Sequence, residues 1–504
     1  MLMSTGPWQV IIVGASGDLT RRKLIPALSR LAAKEKPTAG FSVLGVARRA
    51  KTDEQFRAEM GEAMPEDARE GFEALAPRIF YEAADTQKPE DLERVKARLS
   101  SMPGGDAAGK VFYLALKPSL FAPAVEQLAS VDLLPGHPRG RRVIIEKPFG
   151  HDLESARSLN ASLHRVLREE QLYRIDHYLG KETVQNLLGF RFHNAIFEPL
   201  WNRHHVELIQ VTVAENLGVE HGRAAYYDTT GAVRDMLQNH MLQVLALVTM
   251  EPPSSLDPEE VRDQKVALLK GLRTPHADEM ARHSVRARYA RGTVGSEEVI
   301  GYLDEEGVPA GSSTETFVAL RAQLDGWRWS GVPILLRHGK RLPKKMTEVK
   351  VQFRTPPLQL FNQPDGMSQR EYQRKLRDGD LCQIRPNVLT LSIQPREAIS
   401  LSFGVKTPGA NMVMSPAQLS FDYKDHFGQG GTDAYERLLL DAMLGDPTLF
   451  LRADEIEASW RFADDVLDMW REQDVPLTSY PAGSWGPSEA DALFEGCEGA
   501  WSIG

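Results

Sequence analysis

The first part of the chain alternates short apolar runs with stretches in which apolar residues recur at helical spacing. The run at 8–13 ends at Gly14, and a helical pattern follows before a second apolar run at 41–46. Similar strand-like runs occur at 111–116 and 143–145. Continuous apolar runs are typical of strands buried on both faces, and strands alternating with helices build a parallel sheet. We therefore predict a Rossmann-like, doubly wound α/β domain of the kind that binds dinucleotides.

Beyond residue 180 the pattern changes to period two. Apolar and polar residues alternate in five segments, at 206–213, 317–324, 349–354, 388–394 and 399–405. Successive strands of this kind are typical of an antiparallel sheet with one covered face. We predict a dinucleotide-binding Rossmann domain at 1–180. At 181–504 we predict an α+β domain with a large, mainly antiparallel sheet, for substrate binding and dimerisation.

Composition narrows the class of protein. The chain has 504 residues and a net charge of −9, a poor match to the positive surface that nucleic-acid binding needs. We see neither a signal peptide nor an apolar run that could span a membrane, so we expect a cytoplasmic protein without nucleic-acid or membrane partners. With only Cys382 and Cys497, neither a disulfide framework nor a cysteine-rich metal site is expected. No other group of residues has metal-ligand spacing, so we expect no metal.

The segment 174–182, RIDHYLGKE, places an acid, an imidazole, a phenol and an ammonium close together. Such a density of polar groups would be costly in an apolar core. If a helix begins near Tyr178, His177 and Lys181 lie on one face of its first turn, where free N–H groups favour a phosphate. The pattern favours an anion site over a merely solvated helix start.

A glycine-rich loop, GASGDLT, stands between a predicted strand and a predicted helix, where a dinucleotide fingerprint belongs. Gly14 and Gly17 would let the backbone approach a pyrophosphate, while Ser16 and Leu19 replace the second and third glycines of the usual motif. By itself the loop is explained equally well as a tight turn. Its context favours a cofactor role, and Asp18 belongs to the same loop.

The second predicted strand is followed by Arg48 and Arg49, and residues 45–50 contain no carboxylate. A carboxylate there would bind the ribose 2′-hydroxyl of NAD, whereas two guanidiniums can clamp the 2′-phosphate of NADP. We therefore expect NADP, with NAD as a weaker alternative. A solvated basic turn is the competing interpretation.

Six segments together resemble one protein family. They are GASGDLTRRKL (14–24), EKPFG (146–150), RIDHYLGKE (174–182), RDMLQNHMLQ (234–243), RHGKRL (337–342) and YPAGSWGP (480–487). In content, order and spacing they are similar to the glucose-6-phosphate dehydrogenases, and the resemblance covers most of the chain. It implies oxidation of glucose 6-phosphate at C1 to 6-phosphogluconolactone with hydride transfer to NADP. This is the first step of the oxidative pentose phosphate pathway, and the resemblance implies a homodimer or homotetramer.

The resemblance also implies which residues carry the reaction. Removing the C1 hydroxyl proton as hydride leaves needs a base that titrates near neutral pH, which suits histidine. The matching family position makes His240 that base, oriented by Asp176. In an α-helix, Asp235 and His240 would lie about 140° apart, which counts against both reaching one sugar unless it lies obliquely.

The binding residues implied by the resemblance fall into two sets. The substrate set is Lys147, His177, Tyr178, Lys181, Glu215, Asp235, Lys340 and Lys345. The cofactor set is Gly14, Ser16, Gly17, Asp18, Leu19, Arg48, Arg49, Asp85 and Lys147. Within the substrate set, His177, Tyr178 and Lys181 would hold the 6-phosphate, and the two carboxylates would bind sugar hydroxyls. Lys344 is an adjacent competitor for the role of Lys345, and the family's proline after Lys147 is typically cis.

Two other functions compete with this one. A dehydrogenase of the glucose–fructose oxidoreductase type would act on an unphosphorylated sugar and would not need the His177–Lys181 pair. An NADP-binding regulatory or assembly module would bind the cofactor without turnover, and the presence of both Asp176 and His240 speaks against it.

Overall fold

A computed structural model describes residues 7–34, 40–134, 136, 140–219, 222–357, 361, 366–377, 385–409, 414–428, 433–494 and 499–503. Cys382 and Cys497 lie outside these residues. The chain divides into two compact units. The first comprises Met1–Glu182, Met250–Leu269 and Thr432–Asp464, and the second Thr183–Thr249, Lys270–Gly431 and Asp465–Gly504. The predicted domain boundary at residue 180 stays a prediction, and the division adds two later segments to the first unit.

The first unit is built on a seven-stranded sheet. From edge to edge its strands are Phe450–Leu451, Leu172–Ile175, Arg141–Ile145, Gly109–Leu114, Trp8–Val13, Phe41–Ala47 and Ile79–Ala83. All neighbouring strands are parallel except Phe450–Leu451, which runs antiparallel to Leu172–Ile175. The six parallel strands follow the order 3-2-1-4-5-6 of a dinucleotide-binding sheet. The predicted Rossmann-like fold is therefore confirmed.

The strands are buried because their sequences are almost wholly apolar. Trp8–Val13 and Phe41–Ala47 are buried along their full lengths, as expected when helices cover both faces of a parallel sheet. The α-helices of this unit are Ile25–Ala33, Asp53–Glu62, Arg69–Leu75, Pro89–Ser101, Phe121–Ser130, Leu153–His164, Pro258–Gly271, Ala434–Leu444 and Ala453–Glu472, the last crossing into the second unit. A π-helical turn, Thr20–Leu24, precedes Ile25–Ala33.

The second unit contains a ten-stranded sheet. In order along the sheet its strands are Met414–Asp422, Ala398–Lys406, Val388–Gln394, Met346–Phe353, Val206–Ala214, Ile334–Gly339, Phe317–Leu324, Ser284–Ala290 and Leu477–Pro481, and Leu272–Arg273 pairs with Phe317–Leu324 off this path. Most pairs are antiparallel. Ile334–Gly339 is parallel to Val206–Ala214, and Leu477–Pro481 to Ser284–Ala290. The predicted mainly antiparallel α+β domain is confirmed.

Helices and a small hairpin complete the second unit. The helices are Glu182–His193, Ala224–Ala232, Val233–Met241, Leu242–Thr249, Met280–His283, Gln369–Arg377 and Tyr423–Phe427, and the hairpin joins Gly292–Val294 to Glu297–Val299. None of the helices in the described residues combines the length and apolar character that crossing a membrane requires.

Candidate active site

A cavity of about 330 Å³ opens at the carboxyl ends of the first two strands of the parallel sheet. Its lining includes five predicted cofactor residues, namely Gly14, Ser16, Arg48, Arg49 and Asp85. The remaining predicted cofactor residues, Gly17, Asp18, Leu19 and Lys147, do not line it. Ligands of doubly wound sheets bind at this edge, so the cavity is the natural place for a dinucleotide.

The loop after the first strand needs glycine at its first position. Gly14 has a φ of +92°, and a Cβ there would lie 2.3 Å from the carbonyl oxygen of Ala115. Its N–H donates to Val46 O at 2.8 Å, and the N–H of Gly17 donates to Gly14 O at 3.0 Å. The side chain of Asp18 is exposed and pairs with arginines of the following turn rather than facing the cavity.

Arg48 and Arg49 are exposed directly after the second strand. The buried hydroxyl of Tyr81 donates to Arg49 O at 2.6 Å and to Ala47 O at 3.3 Å, which fixes the backbone of this turn. Within the described residues neither guanidinium forms an ion pair with an acid. Two uncompensated cations at the rim of a cavity are well suited to an anionic group.

The segment after Leu172–Ile175 is a turn, and the expected helix begins at Glu182 instead of near Tyr178. The buried Asp176 explains the difference, because its Oδ1 accepts the N–H of Tyr178 at 2.9 Å and its carbonyl accepts that of Leu179 at 3.0 Å. Gly180 packs so closely that a Cβ would lie 2.7 Å from Ala434 O. The prediction that His177 and Lys181 lie on a first helical turn was therefore wrong.

The turn nevertheless brings the predicted phosphate-binding groups together. The ammonium of Lys181 lies 4.1 Å from the ring centroid of Tyr178, and the His177 ring is 5.1 Å from that ring. The ring of His177 is also nearly parallel to that of Tyr435, with the two centroids 6.4 Å apart. Tyr435, whose pKa burial raises, comes from a distant part of the sequence and was not predicted.

Lys147 follows the strand Arg141–Ile145, and its peptide bond to Pro148 is cis. Its neighbour Glu146 accepts hydrogen bonds from the hydroxyls of Tyr113 and Tyr435. Desolvation raises the pKa of Glu146 despite these hydrogen bonds and the nearby Lys147 ammonium. Sequence patterns gave no signal for this pair of tyrosines, because each phenol comes from a different segment.

In the second unit the buried ammonium of Lys340 lies close to two carboxylates that were predicted to bind the substrate. Its Nζ lies 2.5 Å from Glu215 Oε2 and 3.9 Å from Asp235 Oδ2. It also lies 5.0 Å from the ring centroid of Tyr227, a buried residue that was not predicted. Burial would raise the pKa of Glu215, but the charge and hydrogen bond of Lys340 outweigh it, so this pKa lies below its ordinary value. The cluster offers charged acceptors and a donor at close range.

His338 lies beside this cluster and was also not predicted as a site residue. Its Nδ1 donates to Val213 O at 2.9 Å, and burial lowers its pKa to about 4. It is therefore neutral at physiological pH. Lys345 and its competitor Lys344 are both exposed, and the ammonium of Lys344 lies 6.0 Å from the ring of Trp485. The choice between these two lysines stays open.

Asp235 and the buried His240 lie on a π-helix, Val233–Met241, rather than on an α-helix. The hydrogen bonds of a π-helix join residues five apart, so Asp235 and His240 are about one turn apart on the same side. The objection raised by the angle of about 140° in an α-helix therefore does not apply. Asp176 belongs to the first unit and His240 to the second. The pairing of these two residues stays a prediction.

The parallel sheet with a cavity at its carboxyl edge belongs to the Rossmann class of dinucleotide-binding folds. A family model described as "Glucose-6-phosphate dehydrogenase, NAD binding domain" matches residues 11–186, and one for the C-terminal domain matches residues 188–502. The chain therefore belongs to the glucose-6-phosphate dehydrogenase family.

Individual relatives cover nearly the whole chain. The chain is 42% identical over 497 residues to glucose-6-phosphate 1-dehydrogenase of Aggregatibacter actinomycetemcomitans, covering 98% of this chain and 96% of that one. It is also 42% identical to the protein of the same name from Treponema pallidum, with 99% and 95% coverage. A solved glucose-6-phosphate dehydrogenase in complex with its substrate glucose-6-phosphate matches with a TM-score of 0.86 at 34% identity, covering 100% of both chains.

The fold by itself is less specific. The transcriptional regulator Gal80p of Kluyveromyces lactis matches with a TM-score of 0.51 at 9% identity, covering 94% of each chain. At that identity only the fold is shared, and folds of this kind carry different functions. The family assignment therefore rests on the sequence matches.

Proposed function

We propose that this protein oxidises glucose 6-phosphate at C1 to 6-phosphogluconolactone and transfers the hydride to NADP, the first step of the oxidative pentose phosphate pathway. The observation that carries the proposal is the match, over 98% of the chain, to a protein named glucose-6-phosphate 1-dehydrogenase. The cluster of Lys340, Glu215 and Asp235 supports it, because a sugar presents hydroxyl groups that such carboxylates accept.

His240 is the proposed base. It removes the proton of the C1 hydroxyl while hydride leaves the same carbon, so that a carbonyl forms without an unstable charged alkoxide. Asp176 orients the imidazole and stabilises it after protonation. The bound nicotinamide supplies the hydride acceptor.

Recognition of the phosphate is assigned to His177, Tyr178 and Lys181. Their proximity in one turn supports this proposal, because a phosphate accepts several charge-assisted hydrogen bonds at once. Lys147, beside the cis bond to Pro148, is assigned to both cofactor and substrate. Glu215 and Asp235 accept sugar hydroxyls, while Lys340 and Lys345 supply the basic pair.

NADP is preferred over NAD in this proposal because Arg48 and Arg49 face the cavity without an acidic partner among the described residues. Gly14, Ser16 and Asp85 line the same cavity and support a role with the rest of the cofactor. Gly17, Asp18 and Leu19 complete the proposed loop, and NAD is the weaker alternative.

Assembly as a homodimer or homotetramer belongs to the same proposal. Two outer strands of the large sheet, Ala398–Lys406 and Met414–Asp422, are largely half-buried or exposed, and Leu419 is 62% exposed. Light scattering coupled to gel filtration measures the mass of the assembly. Cytoplasmic location is tested by cell fractionation.

One assay tests the proposed reaction against its alternatives. Purified protein is given glucose 6-phosphate or free glucose, each with NADP or NAD, and reduced cofactor is followed by absorbance. We expect turnover to be highest with glucose 6-phosphate and NADP. Equal turnover with free glucose at low concentration would instead favour the glucose–fructose oxidoreductase type. NADP binding with no turnover on either sugar would favour a regulatory module.

A further inference from the structure

The helix that carries Asp235 and His240 is preceded by a break in the backbone at Gly231. This residue has a φ of 71° and a ψ of 174°, and it interrupts the end of the helical segment Ala224–Ala232 just before the π-helix Val233–Met241. A φ in this region favours glycine because it has no Cβ. A Cβ on Gly231 would also lie 2.5 Å from Oε1 of Glu315. The space beside the break is thus occupied by the carboxyl group of Glu315.

Glu315 anchors the start of the π-helix through two separate hydrogen bonds. Its Oε1 accepts the N–H of Val233 at 3.0 Å, and its main-chain carbonyl accepts the N–H of Ala232 at 3.1 Å. The first N–H groups of a helix have no partners within the helix, and an acidic group near that end is favoured by the helix dipole. Glu315 is only 5% exposed, so these bonds are shielded from water.

The same short segment also holds the backbone of the Lys340 cluster. Thr316, the next residue, accepts the N–H of Lys340 through its carbonyl at 3.0 Å. The hydroxyl of Tyr227 donates to Glu315 O at 3.4 Å. Residues 315–316 therefore contact both the start of the π-helix and Lys340, which directly follows the strand Ile334–Gly339. A small rotation of the π-helix would move Asp235 and His240 together relative to Lys340 and Glu215.

We infer that Glu315 is a positioning residue, which sets the rotation of the π-helix and thereby the placement of His240 and Asp235 for reaction with the substrate. This inference rests on the proposed function. Glu315 bonds to the start of the helix that carries His240, so its expected effect is on the catalytic step and not on cofactor capture. Glu315 was not predicted as a site residue, since nothing about a glutamate just before a strand indicates from sequence that it bonds to a distant helix.

The test compares Glu315→Gln, Glu315→Ala and Glu315→Asp with the parent protein. The amide of Gln keeps an oxygen that can accept the Val233 N–H, Ala has none, and Asp keeps the carboxyl group but has a shorter reach. We expect Glu315→Ala to lower kcat by about ten- to 100-fold, the size expected for a misplacement of about 1 Å. Glu315→Gln should stay within about three-fold of the parent, because its acceptor is retained.

The measurement that separates positioning from general destabilisation is the primary deuterium isotope effect with glucose 6-phosphate deuterated at C1. If His240 is misplaced, C–H cleavage becomes slower and the isotope effect on kcat rises. Val318→Ala, in the same strand region and fully buried, is the control for lost packing and should leave the isotope effect unchanged. The Michaelis constant for NADP should not change in any variant.

Two results would overturn the inference. One is an isotope effect in Glu315→Ala that stays at the parent value, and the other is a loss in Glu315→Gln as large as in Glu315→Ala. If Glu315→Ala does not fold, Glu315→Asp decides the matter: a raised isotope effect supports the inference and an unchanged one refutes it. Absence of glucose 6-phosphate turnover in the parent would refute the proposed function, which is a distinct outcome.

Discussion

The cations assigned to the cofactor in the first unit and the buried lysine of the candidate substrate site in the second are held in opposite ways. In the first, Arg48 and Arg49 are exposed at the rim of the cavity and have no acidic partner in the part of the chain that the structure describes. In the second, Lys340 is buried and bonded to Glu215. An exposed, unpaired cation can attract an anion from solution, whereas a cation already neutralised by carboxylates gains little from a further anion. The first arrangement suits capture of a phosphate, and the second suits orientation of neutral hydroxyl groups.

The largest effect is expected where the second unit contributes to chemistry as well as orientation. His240→Asn should lower kcat by roughly 10²–10⁴-fold because the general base is lost. Substrate affinity should stay within a few-fold, since a base acts mainly on the transition state. Steady-state kinetics with glucose 6-phosphate measure both. The exposed His204→Asn serves as a matched control, and turnover of the His240 variant within ten-fold of the parent would reject the assignment.

The contrast itself is tested by removing the buried cation. Lys340→Met should destabilise the second unit by about 1–3 kcal/mol, because Glu215 and Asp235 are left without their shared partner. Activity should fall as well. The free energy of unfolding by urea measures the first effect, and Glu215→Gln in the Lys340→Met background should recover part of it. No recovery in the double variant would show that the ion pair is not the source of the stability.

Removing an exposed cation should weaken binding of one cofactor without lowering the stability of the protein. Arg48→Ala should weaken NADP by roughly 1.5–3 kcal/mol, about ten-fold or more, and leave NAD nearly unchanged, because only NADP carries the 2′-phosphate. Thermal stability should not change. Initial rates at varied cofactor concentration test this, with the exposed Arg22→Ala as control. Equal losses with NADP and NAD would place Arg48 in the adenine pocket or in the fold.

The smallest expected effect concerns two acids, one in each unit, whose pKa values are shifted in opposite directions. Burial raises the pKa of Asp441 in the first unit to about 7 despite its ion pair with Arg437, whereas the pKa of Glu215 is lowered. Because folding raises the pKa of Asp441, its contribution to stability is fully present at pH values below its ordinary pKa of 3.8. That contribution is lost as the pH rises through about 7. The stability of Asp441→Asn relative to the parent should therefore increase from pH ~4 to ~7. Urea unfolding at several pH values measures it, and a constant difference would contradict the pKa shift.

Local patterns predicted most of the sheets. The strands Trp8–Val13, Phe317–Leu324 and Val388–Gln394 have the bounds expected from their apolar runs or alternation. The strand Ile334–Gly339 was not predicted, although its apolar start was visible, because its second half was interpreted as a motif of the family. Met414–Asp422 contains a proline and many exposed positions, so its pattern is weak.

The details of the site depended on contacts between distant residues. Asp235 and His240 do lie in a helical segment, but the break at Gly231 and the start of the π-helix after it are in contact with Glu315, which lies far along the sequence. The start of the helix at Glu182 depends on hydrogen bonds to Asp176 and on the packing of Gly180 against Ala434. No periodicity within a short window contains that information.

The return of the segment Thr432–Asp464 to the first unit has a consequence for how the protein is made. Within it, Phe450–Leu451 pairs with the outer side of Leu172–Ile175, and Glu436 forms an ion pair with Lys34. A ribosome that has synthesised the chain only through Leu172–Ile175 has thus produced all six parallel strands but not the strand that covers their edge. An uncovered edge is a template for wrong pairing with other chains. Nascent and C-terminally truncated chains are therefore expected to depend on a chaperone more than the full chain does.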